Sequence, residues 1–492
     1  MSSLAPLVPE PRNLIDGKLV GSGSGNTFDN ISPASGQVIG VTSDGTRADM
    51  EAAIAAARRA FDETSWSTAP AFRAECLRQL HAGLVAAAED LRAIVVAEAG
   101  APVMTTPWMQ IDGPIEMVAY WAELTDRYEY ERSMDDIEFM GRPHGRLLRR
   151  EATGVVGAIT PWNVPVYLNI AKLGPALASG CTVVLKPAPD TPWSATTIAR
   201  IIAEQTDIPA GVVNVVASAD HQLGEMLATD PRVDLVTFTG STETGRRVME
   251  CASRTLKRVF LELGGKSAHI VLDDLDIRKV AGSFAATCAH AGQGCAILTR
   301  VLLPRSLYDE GVELAVAAFD AVNYGDPTDP VNFQGPLISR RQQERVLAYI
   351  GKGRAEGARL VRGGGVPAHL PDGFYVEPTV FADVDPAHTI SREEIFGPVL
   401  SITPYDTDDD AVRIANDSVY GLSGAVSGAD EERALAVARR IRAGTLAVNG
   451  AQWFDVDTPF GGYKQSGLGR ENGVAGFEEY LETKVISKPA RS

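Results

Sequence analysis

The sequence predicts an α/β protein made of two units, each built around a mainly parallel sheet. Short apolar runs rich in β-branched residues alternate with longer segments of helical periodicity, which is the pattern of successive β–α–β units. The chain has 492 residues, more than one ordinary hydrophobic core can hold, so two or three packed units are expected. Hydrophobic residues make up 45% and charged residues 22% of the chain, a composition typical of soluble globular proteins.

The first half of the chain shows the clearest alternation. Its predicted strands are Gly154–Thr160, Thr182–Lys186, Val212–Val216 and Asp234–Thr239. Its predicted helical segments are Ala48–Phe61, Ala71–Ala99, Asn169–Ser179, Ser194–Gln205 and His221–Ala228. Together they predict one parallel sheet with helices between its strands.

The second half repeats this pattern and predicts a second unit. Its strands are His269–Leu272, Arg300–Leu303, Val399–Thr403, Gly424–Ser427 and Thr445–Asn449. Its helices include Arg278–His290 and Glu431–Arg442. The two units are expected to meet around Leu256–Leu263.

Two segments break the alternation. Residues Tyr128–Arg150 are polar and end in the strand-like Arg146–Arg150, and Lys484–Ser487 has the pattern of a strand with no helix after it. Such strands can pair with each other away from the main sheets, and exposed strands favour contact with a partner chain. Ordinary excursions on a monomer are the alternative that the pattern leaves open.

Charge and hydropathy exclude several classes of partner. The net charge of −17 repels nucleic-acid backbones and anionic lipid surfaces. No uninterrupted apolar run reaches membrane-spanning length, and no secretory signal is apparent at the N-terminus. We therefore expect a soluble cytoplasmic protein that binds neither nucleic acid nor membrane.

Five cysteines are scattered along the chain, and one of them differs from the rest. Their odd number and the absence of a CxxC pair predict a reducing compartment and no disulfide framework or metal site. Four have the setting of inert buried cysteines, within helices or beside strands: Cys76, Cys181, Cys251 and Cys288. Cys295 follows Gly292 and Gly294 in a loop, where a thiol can be exposed; reactive thiols need such a partly open, electropositive setting.

The segment Phe238–Gly245 follows a predicted strand and begins a helix. Gly240 allows a tight turn, and Ser241 with the free amides of the first helical turn can bind an anionic phosphate. Gly245 lets the helix pack closely against its neighbours. Turns of this kind also occur in proteins without a ligand, so this segment alone leaves a nucleotide site open.

Two further polar residues lie in apolar or rigid surroundings. Glu262 lies in an apolar strand that ends in a double glycine, where burial would raise its pKa and suit it to proton transfer. Asn163 lies between Pro161 and Pro165, which would hold its amide in one direction, as an oxyanion hole requires. A salt-bridged structural glutamate and a helix-capping turn are the alternatives.

Taken together and in this order, the motifs resemble the aldehyde dehydrogenase superfamily. The matching segments cover nearly the whole length: Pro161–Pro165, Lys186–Pro187, Phe238–Gly245, Leu261–Ser267, Gly292–Cys295, Glu393–Val399 and Pro459–Glu471. The resemblance implies a Rossmann-like dinucleotide-binding domain (1–127 and 151–256), a second α/β domain for catalysis (257–470) and a small β oligomerisation arm (128–150 and 471–492). It also implies a homodimer or homotetramer.

The resemblance implies roles for individual residues. Cys295 would be the nucleophile, Asn163 the oxyanion donor beside the Cys295 N–H, Glu262 the base that activates water, and Glu471 a second carboxylate that assists proton relay. The implied cofactor contacts are Lys186 at the adenosine ribose, Ser241 at the pyrophosphate, Glu394 at the nicotinamide ribose and Phe396 near the nicotinamide, with Thr160, Trp162, Gly240, Gly245 and Leu263. The implied substrate tunnel is lined by Val164, Tyr167, Gly294, Ala296, Trp453, Phe454 and Phe460.

This set implies the NAD(P)-dependent oxidation of an aldehyde to a carboxylic acid. A thiolate that adds to the carbonyl makes a thiohemiacetal alkoxide, which can expel a hydride onto a nicotinamide. The thioester that remains needs water and a base, and relatives that pass the acyl group to coenzyme A generally lack the glutamate at position 262. Small residues beside the thiol and aromatic ones farther out favour a medium-sized apolar or aromatic aldehyde.

One departure from the family concerns the choice of cofactor. Many NAD-using relatives have a glutamate three residues after the lysine, where this chain has Pro189. Without that carboxylate a 2′-phosphate meets less repulsion, and the adjacent Asp190 need not point the same way. NAD is expected, and NADP is the alternative.

Three other functions stay open. The chain could be a coenzyme A-acylating semialdehyde dehydrogenase, an esterase or thioesterase without redox chemistry, or a binding or structural relative that has lost catalysis. The last is disfavoured because a scaffold has no physical need for the residues retained together here: Cys295, Glu262, Asn163, Lys186 and Glu394.

Overall fold

A computed structural model describes residues 4–490 of the chain. Its strands are β1 (Asn13–Ile15), β2 (Lys18–Val20), β3 (Thr27–Ile31), β4 (Val38–Ser43), β5 (Glu131–Phe139), β6 (Arg142–Ala152), β7 (Val155–Ile159), β8 (Thr182–Lys186), β9 (Val213–Val215), β10 (Leu235–Thr239), β11 (Arg258–Glu262), β12 (Ser267–Val271), β13 (Leu298–Pro304), β14 (Arg359–Arg362), β15 (Thr379–Ala382), β16 (Val399–Tyr405), β17 (Ser423–Ser427), β18 (Thr445–Val448), β19 (Gly467–Leu468) and β20 (Leu481–Pro489).

The α-helices alternate with these strands. They are α1 (Arg47–Glu63), α2 (Pro70–Ala86), α3 (Ala88–Ala99), α4 (Asp112–Arg127), α5 (Pro165–Ser179), α6 (Pro192–Gln205), α7 (Gln222–Thr229), α8 (Thr242–Ala252), α9 (Tyr308–Asp320), α10 (Arg340–Ala355), α11 (Thr389–Arg392), α12 (Asp408–Asn416), α13 (Glu431–Ala438) and α14 (Gly473–Glu478). Local sequence explains their ends: α5 begins at a proline, which suits the first helical turn, and stops before the left-handed Gly180.

The first sheet has eight strands in the order β19-β11-β10-β7-β8-β9-β1-β2. Strands β7 to β11 run parallel, and β1 and β19 pair antiparallel at either side of them. The chain proceeds outward from β7 to β9 and then returns to add β10 and β11 on the other side of β7. In open parallel sheets, ligands bind beside the carboxyl ends of the strands at such a reversal.

Helices cover both faces of this sheet. The larger core packs α2 to α6 on one face, with side chains such as Leu173 and Ile198 against Val183. The smaller core packs α1, α7 and α8 on the other face, with Ile54 and Leu227 against Val184. A parallel sheet with helices on both sides confirms the predicted α/β class and its Rossmann-like first unit.

The second sheet has seven strands in the order β14-β15-β16-β13-β12-β17-β18, all parallel except β14. The chain crosses between the sheets at Leu263–Lys266, from the carboxyl end of β11 to the amino end of β12. The amino ends of parallel strands share one edge of a sheet, so the loops that precede β13 and β16 meet the same crossing. The carboxyl edge of the first sheet therefore faces the amino edge of the second.

The two segments that break the alternation pair with each other, as predicted. β6 lies between β5 and β20, with Lys484 opposite Arg149 and Ser487 opposite Arg146. This three-stranded arm exposes apolar side chains, among them Phe139, Met140 and Val485.

The structure divides the chain between its two main sheets and the arm at other residues than the predicted domain boundaries. β11 pairs with β10 in the first sheet, although a division after residue 256 places it in the second unit. α14 packs through Phe477 into the larger core of the first unit, although residues 471–492 were assigned to the arm; of that range, β20 forms the arm strand. Membership of a sheet depends on pairing with distant strands, which local pattern does not reveal.

Several helix predictions need correction. The predicted helix Arg278–His290 is wrong: this stretch forms 3₁₀ turns, and His290 and Ala291 have left-handed φ angles of 47° and 55°. Ala71–Ala99 is two helices divided at Ala87. The helices α4, α9 and α10 and the hairpin β3–β4 were not predicted. None of the helices within residues 4–490 has the length and apolarity needed to cross a membrane.

Candidate active site

A cavity of about 950 Å³ lies where the two sheets face each other. The segments after β7 and β10 line one side, and the loops before β13 and β16 line the other. Its walls include all four residues predicted to be catalytic: Cys295, Glu262, Asn163 and Glu471. This is the position that the reversal of strand order predicts for a ligand.

The loop that carries Cys295 is held by its backbone and by Gln293. Gly292 has φ of +73°, and a Cβ atom there would lie 2.2 Å from the Gly397 carbonyl oxygen. The Gln293 amide donates to the carbonyls of His290 (3.1 Å) and Pro336 (3.2 Å) and accepts from the Ile338 N–H (2.9 Å). The thiol is therefore presented on a fixed loop.

Cys295 is the partly exposed cysteine, whereas the other four are buried. Burial raises the pKa of its thiol well above the usual value, and the carboxylates of Glu262, Glu394 and Glu471 raise that pKa further. The charged protein groups that raise the pKa of this thiol are thus all acidic. A cation bound beside the sulfur would favour its thiolate form.

Asn163 is hydrogen-bonded to the loop that carries Cys295, which we call the nucleophile loop after the role predicted for Cys295. Its side-chain amide donates to the Gln293 carbonyl (2.9 Å), and its own carbonyl accepts from the Gln110 amide (3.2 Å). These bonds direct the Asn163 amide toward the loop that ends at Cys295, as an oxyanion donor requires.

Glu262 is the last residue of β11 and is 1% exposed. Neither carboxylate oxygen has a hydrogen-bond partner among the described residues. Burial raises its pKa well above the usual value, the charge of Glu471 raises it further, and Lys172 opposes both. A carboxylate with a raised pKa takes up a proton more readily than an exposed one, as suits a general base.

Glu471 pairs with a residue that the sequence prediction missed. The Nζ of Lys172 donates to Oε1 of Glu471 in the interior, and the same Nζ lies 4.4 Å from the centre of the Phe260 ring. The sequence does hold one signal for this pair, a lysine within a largely apolar helix. All residues of α5 are buried, and a buried lysine needs a partner of opposite charge.

The half of the cavity beside α8 has the features expected for a phosphate group. Ser241 caps α8, its Oγ accepting from the Thr244 N–H (3.2 Å), and helix N-termini attract anions. A Cβ atom at Gly245 would lie 2.6 Å from the Leu263 side chain, so this glycine permits the predicted close packing. Gly240 has no left-handed φ, but a Cβ atom there would lie 2.4 Å from the Phe238 ring, so this close approach requires a glycine.

Glu394, Phe396 and Trp162 line the middle of the cavity. The Glu394 carboxylate accepts from the Gly265 N–H (2.9 Å), and burial raises its pKa to about 7. A Cβ atom at Gly264 would lie 2.4 Å from that carboxylate. The Phe396 and Trp162 rings meet edge to face with centres 5.5 Å apart.

Three residues of the predicted cofactor set lie outside the cavity lining: Thr160, Lys186 and Gly245. Thr160 donates to Asn169 (2.7 Å) within the core. The Lys186 Nζ donates to the Ser218 carbonyl (3.2 Å), and burial lowers its pKa to about 8. The neighbouring Asp190 has a raised pKa, also from burial.

All seven predicted tunnel residues line the cavity: Val164, Tyr167, Gly294, Ala296, Trp453, Phe454 and Phe460. The Trp453 ring stacks on Phe460 at 5.5 Å, and Phe454 lies 5.7 Å from Tyr167. The arginines in the lining are Arg246, on α8, and Arg345, on α10, which donates to the Glu394 carbonyl (2.9 Å). The aromatic end is therefore apolar.

The sequence prediction also missed a π-helical turn, Thr106–Gln110, which lines the cavity with Trp108, Met109 and Gln110. Trp108 and Met109 are 63% and 45% exposed. Insertions of this type in helical structure often mark functional sites, but one sequence gives no local signal for them.

Comparisons with known proteins show which family this chain resembles. The model of the aldehyde dehydrogenase family matches residues 20–486. A 3-succinoylsemialdehyde-pyridine dehydrogenase from a Pseudomonas species is 42% identical over 475 residues, which are 96% of this chain and 97% of the relative.

Two solved structures superpose closely on this chain. A Mycobacterium tuberculosis aldehyde dehydrogenase complexed with NAD+ is 42% identical, with a TM-score of 0.93 over 98% of both chains. A mutant of aldehyde dehydrogenase C from Pseudomonas syringae, in complex with NAD+ and octanal, is 39% identical, with a TM-score of 0.92 over 98% of this chain and 97% of that one.

Proposed function

We propose that this chain, which belongs to the aldehyde dehydrogenase family, oxidises a medium-sized apolar or aromatic aldehyde to a carboxylic acid with NAD+. The observation that carries the proposal is the shared cavity: Cys295 and Glu262 line it together with Ser241 and Glu394. This oxidation needs three groups around one cavity: a thiol, a base and a helix N-terminus that can bind a dinucleotide.

The residues present fit a nicotinamide dinucleotide. The exposed Ser241 at the start of α8 and the free amides behind it suit a pyrophosphate. Glu394 is a buried acceptor that suits ribose hydroxyls, and Lys186 would serve the adenosine ribose. A bound NAD+ would supply a hydride acceptor and a positive charge, and such a charge would favour the thiolate form of Cys295. Solved relatives contain NAD+, which supports NAD over NADP here.

The first chemical step belongs to Cys295. Its thiolate adds to the aldehyde carbon, and the oxygen becomes an alkoxide that Asn163 and the Cys295 N–H stabilise. Loss of one such donor costs about 2.7–4 kcal/mol of barrier, or 100- to 1000-fold in kcat. Departure of the hydride leaves an acyl group on the sulfur.

The second step uses Glu262. It takes a proton from water, the water oxygen bonds to the acyl carbon, and the carbon–sulfur bond breaks to return the Cys295 thiolate. Its raised pKa suits a base that must also release the proton again. Glu471 and Lys172 lie behind it as a route by which that proton can leave. The presence of Glu262 favours water over coenzyme A as the acyl acceptor.

The aromatic end of the cavity supports the substrate class. Trp453, Phe454 and Phe460 form an apolar wall, and a relative binds octanal. A cytoplasmic location and a homodimer or homotetramer are part of the proposal: the five cysteines are unpaired, and the arm exposes apolar side chains that a second copy would cover.

The test is cofactor reduction with a panel of aldehydes, each tried with NAD, with NADP and with added coenzyme A. We expect reduction of NAD, fastest with apolar or aromatic aldehydes, and free acid as the product. Cys295→Ala should abolish it, whereas Cys76→Ala, which removes a thiol buried in α2, should not. Hydrolysis of esters without any cofactor reduction would instead favour the esterase alternative, and a coenzyme A thioester product would favour the acylating one.

A further inference from the structure

Asn472, the residue after Glu471, has a backbone conformation that side chains rarely adopt. Its φ is 62° and its ψ is 165°, a region that belongs almost entirely to glycine. The surroundings impose it: Phe460 and Glu471 exchange both backbone hydrogen bonds (2.8 and 2.6 Å), and the Gly473 N–H donates to the Val456 carbonyl (2.8 Å). Such strain persists where neighbouring structure requires it, and it clusters at functional sites.

This conformation directs the Asn472 side chain at Tyr167. The Asn472 amide donates to the Tyr167 hydroxyl oxygen at 3.3 Å. Asn472 is 1% exposed and Tyr167 is 4% exposed, so the bond is shielded from water. Because the phenol oxygen accepts this bond, its own hydrogen is free to point elsewhere.

Tyr167 lines the same cavity as Cys295, Glu262 and Glu471. Burial raises the pKa of its hydroxyl well above the usual value, and the charges of Glu471, Cys295 and Glu262 raise it further. The hydroxyl therefore stays protonated and can act as a hydrogen-bond donor. The unpartnered atoms among these groups, in the part of the chain that the structure describes, are acceptors: both oxygens of Glu262 and Oε2 of Glu471.

We propose that Tyr167 is a further catalytic residue: its hydroxyl, held by Asn472, donates a hydrogen bond to the water that hydrolyses the thioester on Cys295. This inference rests on the proposed function. The water gives one proton to Glu262, its oxygen bonds to the acyl carbon, and the electron pair of the broken carbon–sulfur bond returns to Cys295. Tyr167 keeps its proton throughout. Asn472 is a positioning residue that acts through Tyr167.

Two observations favour a role of Tyr167 in hydrolysis of the thioester over a role in the addition of the Cys295 thiolate to the aldehyde. Asn163 already serves the alkoxide of the first step, and it is bonded to the nucleophile loop rather than to Tyr167. Asn472, whose amide holds the Tyr167 hydroxyl, directly follows Glu471 in the chain. The hydroxyl thus lies on the side where water is activated.

The test separates the two steps in Tyr167→Phe by rapid mixing with NAD+ and a substrate aldehyde. We expect the first turnover to form reduced cofactor at a rate within twofold of the wild type, while steady-state turnover falls about 10- to 100-fold, as expected for loss of a hydrogen bond in a charged site. The acyl-enzyme should then accumulate and be detected by acid quench and intact mass. Tyr405→Phe, which removes a buried hydroxyl bonded to the Val271 carbonyl (2.7 Å), should leave both phases unchanged.

Asn472→Gly is the second variant, because glycine adopts this φ and ψ without strain. We expect a melting temperature equal to or above that of the wild type, together with the same slow hydrolysis and a non-additive effect when combined with Tyr167→Phe. A purely structural role would instead lower stability and activity together.

The outcomes separate this inference from the proposed function. Equal slowing of both phases in Tyr167→Phe, or no slowing at all, would overturn the role of Tyr167 while the wild type still oxidises aldehydes. A wild-type chain that reduces no cofactor with any aldehyde would overturn the proposed function, and this inference with it.

Discussion

Lys172 and Glu471 form an ion pair inside the protein, with side-chain exposures of 0% and 1%. They lie on α5 and on the segment just before α14, 299 residues apart in sequence. Because Glu471 also exchanges backbone hydrogen bonds with Phe460, this pair joins the core of the first unit to the wall of the cavity. A buried pair is costly to break, since either partner alone is an uncompensated charge.

Removal of one partner should therefore destabilise the fold. We expect Lys172→Met to lower the free energy of unfolding by about 3–5 kcal/mol, measured by thermal or denaturant unfolding. The double variant Lys172→Met/Glu471→Gln buries no charge at this place and should recover much of that loss. A double variant as unstable as the single one would show that packing, rather than charge, dominates here.

The same pair should set the pH dependence of the activity through Glu262. The base works when ionised, so the rate falls as the pH drops through its pKa. The charge of Glu471 raises that pKa and Lys172 lowers it. Glu471→Gln should therefore move the acid limb of the kcat profile to lower pH, and Lys172→Met should move it to higher pH. The surface variant Glu313→Gln is the control, and shifts of both variants in the same direction would contradict the assignment.

The sequence predicts much of this site because its motifs lie where the chain enters or leaves a strand. Glu262 ends β11, Ser241 begins the helix after β10, and Cys295 precedes β13; each is recognisable from local pattern. Lys172 and Asn472 are not, because their importance depends on contacts with residues hundreds of positions away. The composition of Arg278–His290 favours a helix, but it does not reveal the distant contact that follows this stretch, where Gly292 packs against the Gly397 carbonyl.

Replacement of Pro189 should change the choice of cofactor. Position 189 has no carboxylate to repel a 2′-phosphate, and the pKa of the adjacent Asp190 is raised by burial. We expect Pro189→Glu to raise the KM for NADP by about tenfold or more, from the repulsion between like charges, with a smaller effect on the KM for NAD. Pro189→Gln is the neutral control. An equal change for both cofactors would mean that residue 189 does not face the ribose.

The stacked pair Trp453 and Phe460 should govern preference for large aldehydes. Trp453→Ala removes an aromatic wall whose ring stacks on Phe460 at 5.5 Å, with a loss of about 1–3 kcal/mol of apolar contact for a substrate that fills the tunnel. We expect a rise in KM for octanal or benzaldehyde and little change for acetaldehyde. Parallel changes across all three aldehydes would show that Trp453 supports the fold rather than the substrate.

Gln293 should control how firmly the nucleophile is presented. Its amide makes three hydrogen bonds, to His290, Pro336 and Ile338, and Gln293→Leu leaves the last two partners buried without it, at about 1–3 kcal/mol each. The loop should then loosen. We expect kcat to fall because Cys295 is poorly placed, and we expect the neutral reagent iodoacetamide to alkylate Cys295 faster because the thiol is better exposed.

Peptide mass mapping distinguishes this from general unfolding, since the four buried cysteines should stay unmodified. Gln334→Leu, which removes a buried amide bonded to the Val376 carbonyl (2.7 Å), is the matched control and should alter neither rate. If Cys295 in Gln293→Leu is alkylated no faster than in the wild type, the loop is held by its left-handed backbone alone.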